Sequence, residues 1–486
     1  MSKIIVNPHN AVYDILECDA GIAQDLSDYF KFQVPSYFFI KKKNPKLKGW
    51  DGSVHLFSKK TCQLYVGLRT RLETFCKDRG IEFILKDKGD VEFSRHEALE
   101  FIKTLNLPVE PREYQIEAFI KFVRKRRLLI LSPTASGKSL LIYMLIRYYL
   151  WQSFIYKIIL IVPTINLVHQ MVSDFKDYGW DTEEFVHLIY AGQVKDTAKP
   201  LIISTWQSID DMPGEFYNFD MIMVDEAHHA QAKSIKGIME SSSDTYLRFG
   251  CTGTLNEIPT HRLVLEGLFG EVFQATTTKQ LMDDNFISKL LIKTIVLKYD
   301  TAVAKANCRL EYAEEIDFLS QHAKRNLFIR NLALSLDGNV LVLYRLINHG
   351  DILYNLIGQQ REHRQVYHIH GGVEGEERER IRHIIESETN AILVGSYGTV
   401  STGINIPSLS NIIFASPYKS KIRVLQSIGR GLRLSDTKQL CTILDISDDL
   451  SYKKKKNTTL RHMMERVKLY ASEEFNYKMY RVDIVE

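Results

Sequence analysis

The chain has 486 residues, of which 45% are hydrophobic and 25% charged, and its formal net charge is +4. This length exceeds the usual size of one hydrophobic core and predicts two or three folded domains. The six cysteines form no C-x-x-C pair, and the sequence has neither an amino-terminal apolar signal nor an apolar run of membrane length. Secreted disulfide-rich and membrane-spanning classes are therefore excluded, and we expect a reduced protein in the cytoplasm.

The amino-terminal region is strongly basic, although the whole chain is not. Between Phe39 and Arg79 it holds eleven Lys or Arg residues against three acids, with aromatic residues interleaved. Charge combined with stacking surface is typical of nucleic-acid binding, whereas a small domain with an aromatic core is the alternative that we favour for most of these rings. We predict that five lysines lie in an exposed loop that binds phosphates: Lys41, Lys42, Lys43, Lys46 and Lys48. We expect residues 1–95 to form a small basic α+β domain that binds duplex or junction DNA.

A phosphate-binding loop is predicted at 132–139, where the sequence reads SPTASGKS. An apolar run precedes it and a helix-compatible apolar stretch follows it, which is the strand–loop–helix context that this motif requires. The start of a helix directs free backbone N–H groups at phosphate oxygens, Lys138 adds positive charge, and the Ser139 hydroxyl is a ligand suited to Mg²⁺. The predicted nucleotide-binding residues of this loop are Thr134, Ala135, Ser136, Gly137, Lys138 and Ser139. Ser132 stands where the usual pattern has its first glycine.

Two carboxylates follow the continuous apolar run 221–224, which predicts a buried parallel strand. Ligands of α/β sheets bind at the carboxyl ends of strands, so Asp225 is suited to hold Mg²⁺ and Glu226 to orient and deprotonate the attacking water. A solvated acidic turn is the alternative, which the phosphate loop upstream disfavours. His228 and His229 have no partner at metal-ligand spacing, so zinc is not expected.

Apolar strand candidates alternate with helix-length segments in two blocks, which predicts two doubly wound parallel sheets. The predicted strands are 128–133, 158–163, 201–206, 221–226, 247–252, 339–345, 366–370, 391–396, 411–416 and 441–446. The strong pattern breaks between Gly270 and Lys289, and we place a hinge there.

The string QSIGRGLR at 426–433 carries two arginines three residues apart, which share one face of a helix. Guanidinium groups held in this way can contact a γ-phosphate, and we assign Arg430 and Arg433 that role. In isolation, two solvated arginines on a surface helix are an equal alternative. We expect the two predicted sheets to form two domains that meet at a cleft. ATP bound to Lys138 in one domain would contact these arginines in the other and so close the cleft.

The carboxyl end, residues 451–486, begins with four lysines at 453–456 and continues with apolar residues at helical spacing. We predict a basic helical extension whose apolar stripe packs against the second motor domain. The lysine run is a solvated connector or an additional phosphate contact.

Together the ordered motifs resemble the superfamily 2 DNA helicases, in particular the XPB-like branch and phage helicases within it. The resemblance spans roughly 110–450 and includes further strings between and beyond those above. These are Arg112-Glu113-Tyr114-Gln115, Val162-Pro163-Thr164 with Leu167 and Gln170, Thr205-Trp206-Gln207, Thr252-Gly253-Thr254, His370-Gly371-Gly372 and Ser401-Thr402-Gly403-Ile404-Asn405. The stretch Trp50-Asp51-Gly52 also resembles the amino-terminal domain of such a phage helicase.

The resemblance implies roles for individual residues. Gln115 would contact adenine, Arg112, Gly403 and Asn405 would bind the nucleotide, and Gln426 would join the arginines of its string in catalysis. His228, Thr252 and Thr254 would couple hydrolysis to domain motion. A nucleic-acid track is implied for eight residues: Thr164, Gln170, Thr205, Gln207, His370, Gly371, Ser401 and Thr402. Gly253 stands where an alanine is common, which affects coupling, and Asn405 stands where an acidic residue is frequent, which affects ribose contact. Neither departure removes a charge that hydrolysis needs.

The implied fold is α/β, with two RecA-like doubly wound parallel-sheet motor domains and a small α+β amino-terminal DNA-binding domain. We expect four regions: 1–95, the ATP-binding domain 96–280, the second motor domain 281–450 and the extension 451–486. The implied activity is an ATP- and Mg²⁺-dependent DNA helicase or translocase, a monomeric motor without membrane contact. It would act on stalled forks, Holliday junctions or R-loops, and so on RNA–DNA hybrids as well, in phage recombination, replication and repair.

Three alternatives remain. An RNA helicase shares the same motor, although the string at 162–170 is not that of the common RNA-unwinding type. A restriction motor subunit would need a nuclease, for which the sequence offers no convincing residues. A non-catalytic DNA clamp or annealing factor would be expected to have lost at least one of Lys138, Asp225, Glu226, Arg430 and Arg433.

Overall fold

The computed structural model describes most of the chain and divides it into two compact units. The described residues are 2–35, 37–44, 49–87, 89–152, 155, 157–190, 198–210, 212, 217–228, 233–255, 259–360, 363–400, 408–416, 424 and 440–484. The first unit comprises Met1–Ser132 and Gly137–Thr276, and the second comprises Pro133–Ser136 and Thr277–Glu486.

The amino-terminal region of the first unit is a small α+β fold. Its strands are β1 Lys3–Pro8, β2 Tyr13–Glu17, β3 Lys31–Gln33, β4 Ser53–His55, β5 Phe57–Ser58, β6 Gln63–Tyr65 and β7 Glu82–Leu85, and its helices are α1 Ala20–Tyr29, α2 Tyr37–Lys43 and α3 Arg69–Arg79. The sheet order is β5-β6-β2-β1-β7, with β3 and β4 in a separate ribbon. Ile4 and Val6 are buried and alternate with residues that are partly or fully exposed, as expected for a sheet with one buried face.

The rest of the first unit is a parallel α/β sheet covered on both faces. Its strands are β8 Arg127–Leu131, β9 Ile158–Val162, β10 Val186–Ile189, β11 Leu201–Thr205, β12 Met221–Val224, β13 Leu247–Thr252 and β14 Val272–Gln274. Its helices are α4 Arg95–Thr104, α5 Glu113–Lys125, α6 Lys138–Trp151, α7 Ile165–Asp177, α8 Thr182–Phe185, α9 Trp206–Ile209, α10 Lys233–Ser241 and α11 Pro259–Phe269. The strand order is β10-β11-β9-β12-β13-β8-β14, and the central strands are buried along their whole length.

The amino-terminal fold packs directly onto this sheet. One hydrophobic cluster contains Leu26 and Phe75 of the small fold together with Ile159 and Val224 of the large sheet. Polar contacts add to it, because the side chain of Arg71 is paired with that of Glu266 on α11. The small fold is therefore part of the same compact unit as the sheet that carries the phosphate loop.

The second unit contains another seven-stranded parallel sheet. Its strands are β15 Lys289–Tyr299, β16 Asn339–Tyr344, β17 Val366–Ile369, β18 Ile392–Ser396, β19 Leu409–Phe414, β20 Leu440–Asp449 and β21 Asn476–Ile484. Its helices are α12 Thr278–Asp283, α13 Thr301–Asn307, α14 Tyr312–Gln321, α15 Ala323–Ser335, α16 Ile347–Gln359, α17 Gly375–Ser387, α18 Tyr397–Val400 and α19 Thr458–Ser472. The order is β17-β18-β16-β19-β20-β15-β21.

The start of α19 is fixed by a buried carboxylate. Glu315 Oε1 accepts hydrogen bonds from the backbone N–H of Thr459 at 2.8 Å and its hydroxyl at 2.6 Å, and Oε2 accepts from the Thr458 N–H at 2.9 Å. Free N–H groups at a helix start favour a negative charge there. Further along the helix, Arg466 forms a buried ion pair with Asp445 of β20. These contacts hold α19 on the second sheet.

The structure confirms the predicted fold class, and each of the ten predicted strands corresponds to a strand of one of the two large sheets. Of the predicted apolar stripe in α19, Leu460 and Met463 pack against Val296, whereas Met464 is exposed. The prediction that the last region is helical was wrong for 476–484, which form the edge strand β21 beside β15. The alternating polar residues of an edge strand hide it from a search for apolar runs.

The prediction of a basic amino-terminal loop was also partly wrong. Lys41 and Lys42 lie in the helix α2, and Lys43 is its last residue. Lys46 and Lys48 lie outside the described residues. Of the aromatic rings, Phe57, Tyr65 and Phe75 are buried as predicted for a core, but Phe38 and Phe39 are 65% and 66% exposed.

Candidate functional site

The predicted site residues of the first unit follow the carboxyl ends of adjacent strands. The neighbouring strands β11, β9, β12, β13 and β8 end at Thr205, Val162, Val224, Thr252 and Leu131. Because these strands are parallel, their carboxyl ends lie at one edge of the sheet. This edge therefore brings together residues predicted to bind phosphate, to orient the attacking water, to couple hydrolysis to domain motion and to contact nucleic acid.

The phosphate loop connects β8 to α6 and depends on unusual backbone geometry. Ala135 has φ +66° and Gly137, the residue before α6, has φ +74°. A Cβ on Gly137 would lie 2.6 Å from Nε2 of Gln115, so glycine is required both for conformation and for space. Ser136 Oγ donates a 2.7 Å hydrogen bond to the Pro133 carbonyl, which holds the turn. The free N–H groups at the start of α6 form an anion site.

Gln115 ties the helix α5 to this loop. Its buried side chain accepts a 2.8 Å hydrogen bond from the Arg112 N–H and donates one of 2.9 Å to the Gly137 carbonyl. Arg112 donates from Nη1 to the Tyr114 hydroxyl at 2.9 Å. Arg112 and Gln115, both assigned to the nucleotide, are therefore hydrogen-bonded to each other, and Gln115 is in contact with the phosphate loop.

Lys138 and Ser139 open α6 and carry the functional groups of the loop. Lys138 Nζ lies 3.4 Å from the Ser132 carbonyl. Ser139 Oγ lies 3.0 Å from the hydroxyl of Tyr178, the residue that follows α7. Burial raises the pKa of Tyr178.

Asp225 follows β12 and is buried. Its Oδ1 accepts hydrogen bonds from the Glu226 N–H at 2.9 Å and from the Cys251 thiol at 3.1 Å. Burial, and then the neighbouring Glu226 carboxylate, raise the pKa of Asp225, while the positive charge of Lys138 opposes this. Burial also raises the pKa of the Cys251 thiol, which therefore keeps its proton and acts as a donor.

Glu226, His228 and Thr252 form one hydrogen-bonded cluster. His228 Nδ1 lies 2.9 Å from Thr252 Oγ1 and 3.2 Å from Glu226 Oε2. Thr252 Oγ1 is also 3.0 Å from the Thr254 carbonyl and 3.5 Å from Glu226 Oε2. Glu226 has φ +50°, a left-handed conformation that is uncommon for a residue with a side chain. Strained backbone of this kind occurs often at functional sites.

The nucleic-acid candidates of the first unit lie beside this cluster. Thr164 precedes α7 and caps it by accepting from the Leu167 N–H, while Gln170 is exposed on the same helix and bonds Asp174 at 2.7 Å. Thr205 ends β11 with its hydroxyl 2.9 Å from that of Ser208, and Gln207 is exposed on α9. In the amino-terminal fold, Lys42 is exposed, whereas Lys41 donates to the Trp50 carbonyl at 2.9 Å.

In the second unit, His370 and Gly371 follow the edge strand β17. His370 Nδ1 accepts a 3.1 Å hydrogen bond from the Gly372 N–H, and its ring lies 5.0 Å from that of His368. The other predicted residues of this unit lie outside the described residues: Ser401, Thr402, Gly403, Asn405, Gln426, Arg430 and Arg433.

The donors at the edge of the first sheet are suited to Mg²⁺. Ser139 and Asp225 offer a hydroxyl and a carboxylate oxygen, and this ion typically takes one or two protein oxygens together with phosphates and water. Among the described residues, no group of three or more His, Cys, Asp or Glu side chains forms a metal cage. The chemistry of the donors fits an ion held largely by the nucleotide.

Sequence reasoning missed two side chains at this edge, Tyr178 and Cys251. Neither belongs to a recognised string. In the parallel register Val224 lies opposite Gly250, so Asp225 and Cys251 are the next residues of neighbouring strands. Strand order was the missing information, because the alternation of strands and helices does not reveal which strands are neighbours.

No helix in the described part of the chain is long and apolar enough to cross a membrane.

Comparison with known proteins identifies close relatives. Residues 108–257 match the family described as Type III restriction enzyme, res subunit, and residues 323–435 match the Helicase conserved C-terminal domain. The ATP-dependent DNA helicase uvsW of Enterobacteria phage T4 is 33% identical over 510 residues, which cover 99% of this chain and 100% of the phage protein. The crystal structure of T4 UvsW matches with a TM-score of 0.53 at 32% identity, covering 99% of this chain and 100% of that one. The DNA 3'-5' translocase XPB2 of Sulfurisphaera tokodaii is 21% identical over 400 residues, 74% of this chain and 86% of that protein.

Proposed function

The chain belongs to the UvsW family of superfamily 2 helicases, in their XPB-like branch, and we propose that it is an ATP-dependent DNA helicase that unwinds or branch-migrates branched DNA. Stalled forks, Holliday junctions and R-loops are the substrates, in phage recombination, replication and repair. The observation that carries the proposal is the sheet edge on which a phosphate loop, the Glu226–His228–Thr252 cluster and the ends of β9 and β11 lie side by side.

ATP is held by the loop between β8 and α6. The N–H groups at the start of α6 and the Lys138 ammonium bind the phosphates, Gln115 contacts adenine, and Arg112 is assigned to the nucleotide beside it. Ser139 and Asp225 would hold Mg²⁺, which when bound neutralises charge on the β- and γ-phosphate oxygens. Gly403 and Asn405 are assigned to the nucleotide from the second motor domain.

Hydrolysis requires a positioned water, and Glu226 is the group that orients it and removes its proton. The left-handed backbone at this residue turns the chain sharply after the buried β12. Gln426, Arg430 and Arg433 complete catalysis by contacting the γ-phosphate, an effect worth roughly 10³–10⁵ in rate in related chemistries.

Coupling between hydrolysis and nucleic acid runs through the cluster around Thr252. The His228 ring contacts both the Thr252 hydroxyl and the Glu226 carboxylate, so a shift of the 252–254 segment alters the surroundings of the proposed base. Thr164, Gln170, Thr205 and Gln207 form the adjacent half of the nucleic-acid track. His370, Gly371, Ser401 and Thr402 provide the other half.

Branched DNA is favoured by the amino-terminal fold. Its basic, aromatic-rich segment belongs to the same compact unit as the first large sheet and Lys138, so DNA held there is held at a fixed position relative to that sheet. We retain four functional regions: 1–95 for junction binding, 96–280 and 281–450 as the motor, and 451–486 as the extension. The enzyme works as a monomer in the host cytoplasm.

The experiment is steady-state ATP hydrolysis by the purified protein alone and with single-stranded DNA, linear duplex, a four-way junction, an RNA–DNA hybrid or structured RNA. Glu226→Gln is the control for contaminating activity. The proposal predicts the strongest stimulation with the four-way junction. Stimulation by RNA alone would identify an RNA helicase. The absence of turnover under every condition would favour the alternative of a non-catalytic DNA clamp.

A further inference from the structure

The two protein ligands proposed for Mg²⁺ each have a hydrogen-bond partner outside the helicase motifs. We propose that Tyr178 and Cys251 are positioning residues that orient Ser139 and Asp225 for Mg²⁺·ATP. The inference rests on the proposed function, because it assumes that Ser139 and Asp225 bind the ion.

Tyr178 acts on the Ser139 hydroxyl. It follows the last turn of α7, its ring packs 5.3 Å from that of Tyr143 on α6, and its hydroxyl lies 3.0 Å from Ser139 Oγ. A serine oxygen that binds a cation must direct its own proton elsewhere. The Tyr178 oxygen can accept a hydrogen bond from the serine O–H and so leave the serine lone pairs for the ion.

Cys251 acts on the Asp225 carboxylate. It is fully buried on β13, beside the end of β12, and its thiol donates to Asp225 Oδ1 at 3.1 Å. The Glu226 N–H donates to the same oxygen at 2.9 Å. The two donors anchor the carboxylate through Oδ1, and only the thiol can be removed by substitution.

Partners of this kind matter for metal affinity. Groups that hydrogen-bond a metal ligand fix its orientation, and removing one typically weakens metal binding about 10–100-fold. A site with only two protein oxygens depends strongly on the orientation of each. Loss of Tyr178 or Cys251 should therefore weaken the binding of Mg²⁺, so that nucleotide binding needs more of the ion, and should leave the phosphate contacts of the loop unchanged.

The experiment measures equilibrium binding of a fluorescent, non-hydrolysable ATP analogue while Mg²⁺ is titrated, and separately in EDTA. Tyr178→Phe removes one oxygen and preserves the ring. Cys251→Ala removes the donor, and Cys251→Ser, of nearly the same volume, restores one. Tyr149→Phe removes another buried phenol oxygen from α6 and serves as the matched control.

We expect Tyr178→Phe and Cys251→Ala to raise the Mg²⁺ concentration at half-maximal binding by about 10-fold, with binding in EDTA unchanged. Cys251→Ser and Tyr149→Phe should resemble the wild type. An unchanged Mg²⁺ midpoint in Tyr178→Phe and Cys251→Ala overturns the inference, as does an equal loss of binding in EDTA, which indicates a damaged loop. A wild-type protein that binds no nucleotide at any Mg²⁺ concentration contradicts the proposed function itself. Since Tyr178→Phe deletes a single atom, the test does not depend on the folding of the cysteine variants.

Discussion

Gly67→Ala is expected to separate the amino-terminal fold from the first large sheet. A Cβ at this position would lie 2.0 Å from the Glu266 carbonyl oxygen, 2.7 Å from that of Gly267 and 2.9 Å from the Gly270 nitrogen. All three atoms are backbone at the end of α11, so no side-chain rotation relieves the overlap. Overpacking of this kind costs about 1–3 kcal/mol, and we expect the upper end because backbone must move.

For a unit of this size, about 3 kcal/mol corresponds to a fall in melting temperature of roughly 6–12 °C. The assay is thermal unfolding of the full chain together with hydrogen exchange of residues 64–72 and 263–270, which should become less protected. Gly237→Ala is the matched control, because nothing lies within 4 Å of its Cβ and it is exposed on α10. That change should stabilise the helix by about 0.5–1 kcal/mol. A Gly67→Ala protein with wild-type melting and protection would refute the tight packing of the two parts.

Three other perturbations test separate parts of the molecule. Glu226→Gln should abolish ATP turnover and retain nucleotide binding, measured by steady-state hydrolysis and fluorescent-nucleotide titration; normal turnover would remove this residue from the role of base. Glu315→Ala leaves buried donors at the start of α19 without their acceptor and should destabilise the second unit by about 1–3 kcal/mol for each donor left unpaired, seen as increased proteolysis near α19. Lys42→Ala should lower the slope of log affinity for duplex DNA against log salt by about 0.9, and an unchanged slope would show that this lysine contacts no phosphate.

The two large sheets were predictable because their central strands are continuous apolar runs between helix-length segments. The run at 221–224 is buried at every position, as is the run at 158–162. Four strands of these sheets escaped: β10, β14, β15 and β21. Three of them, β10, β14 and β21, are edge strands, and β14 has only three residues, whereas the interior strand β15 is interrupted by the lysines at 293 and 298. A search for apolar runs detects uninterrupted buried strands and misses these.

Within the site, the sequence predicted where the residues of the motifs lie but not which other side chains they contact. The order of the strings predicted that Lys138, Asp225 and Thr252 would follow separate strands of one sheet. The contacts of Tyr178 with Ser139 and of Cys251 with Asp225 depend on strand order and helix packing, for which a local pattern carries no signal. The lysines at 41–43 were assigned to a loop because of the proline that follows, but the chain forms a helix up to Lys43.

The most direct test of an ATP-driven motor on branched DNA is the conversion of a synthetic four-way junction into its two duplex products, followed by gel electrophoresis. The account predicts conversion by the wild-type protein with Mg²⁺ and ATP, and none with a non-hydrolysable analogue or with Glu226→Gln at equal junction occupancy. Equal conversion by Glu226→Gln, or a wild-type protein that hydrolyses ATP on the junction and leaves it intact, would contradict it.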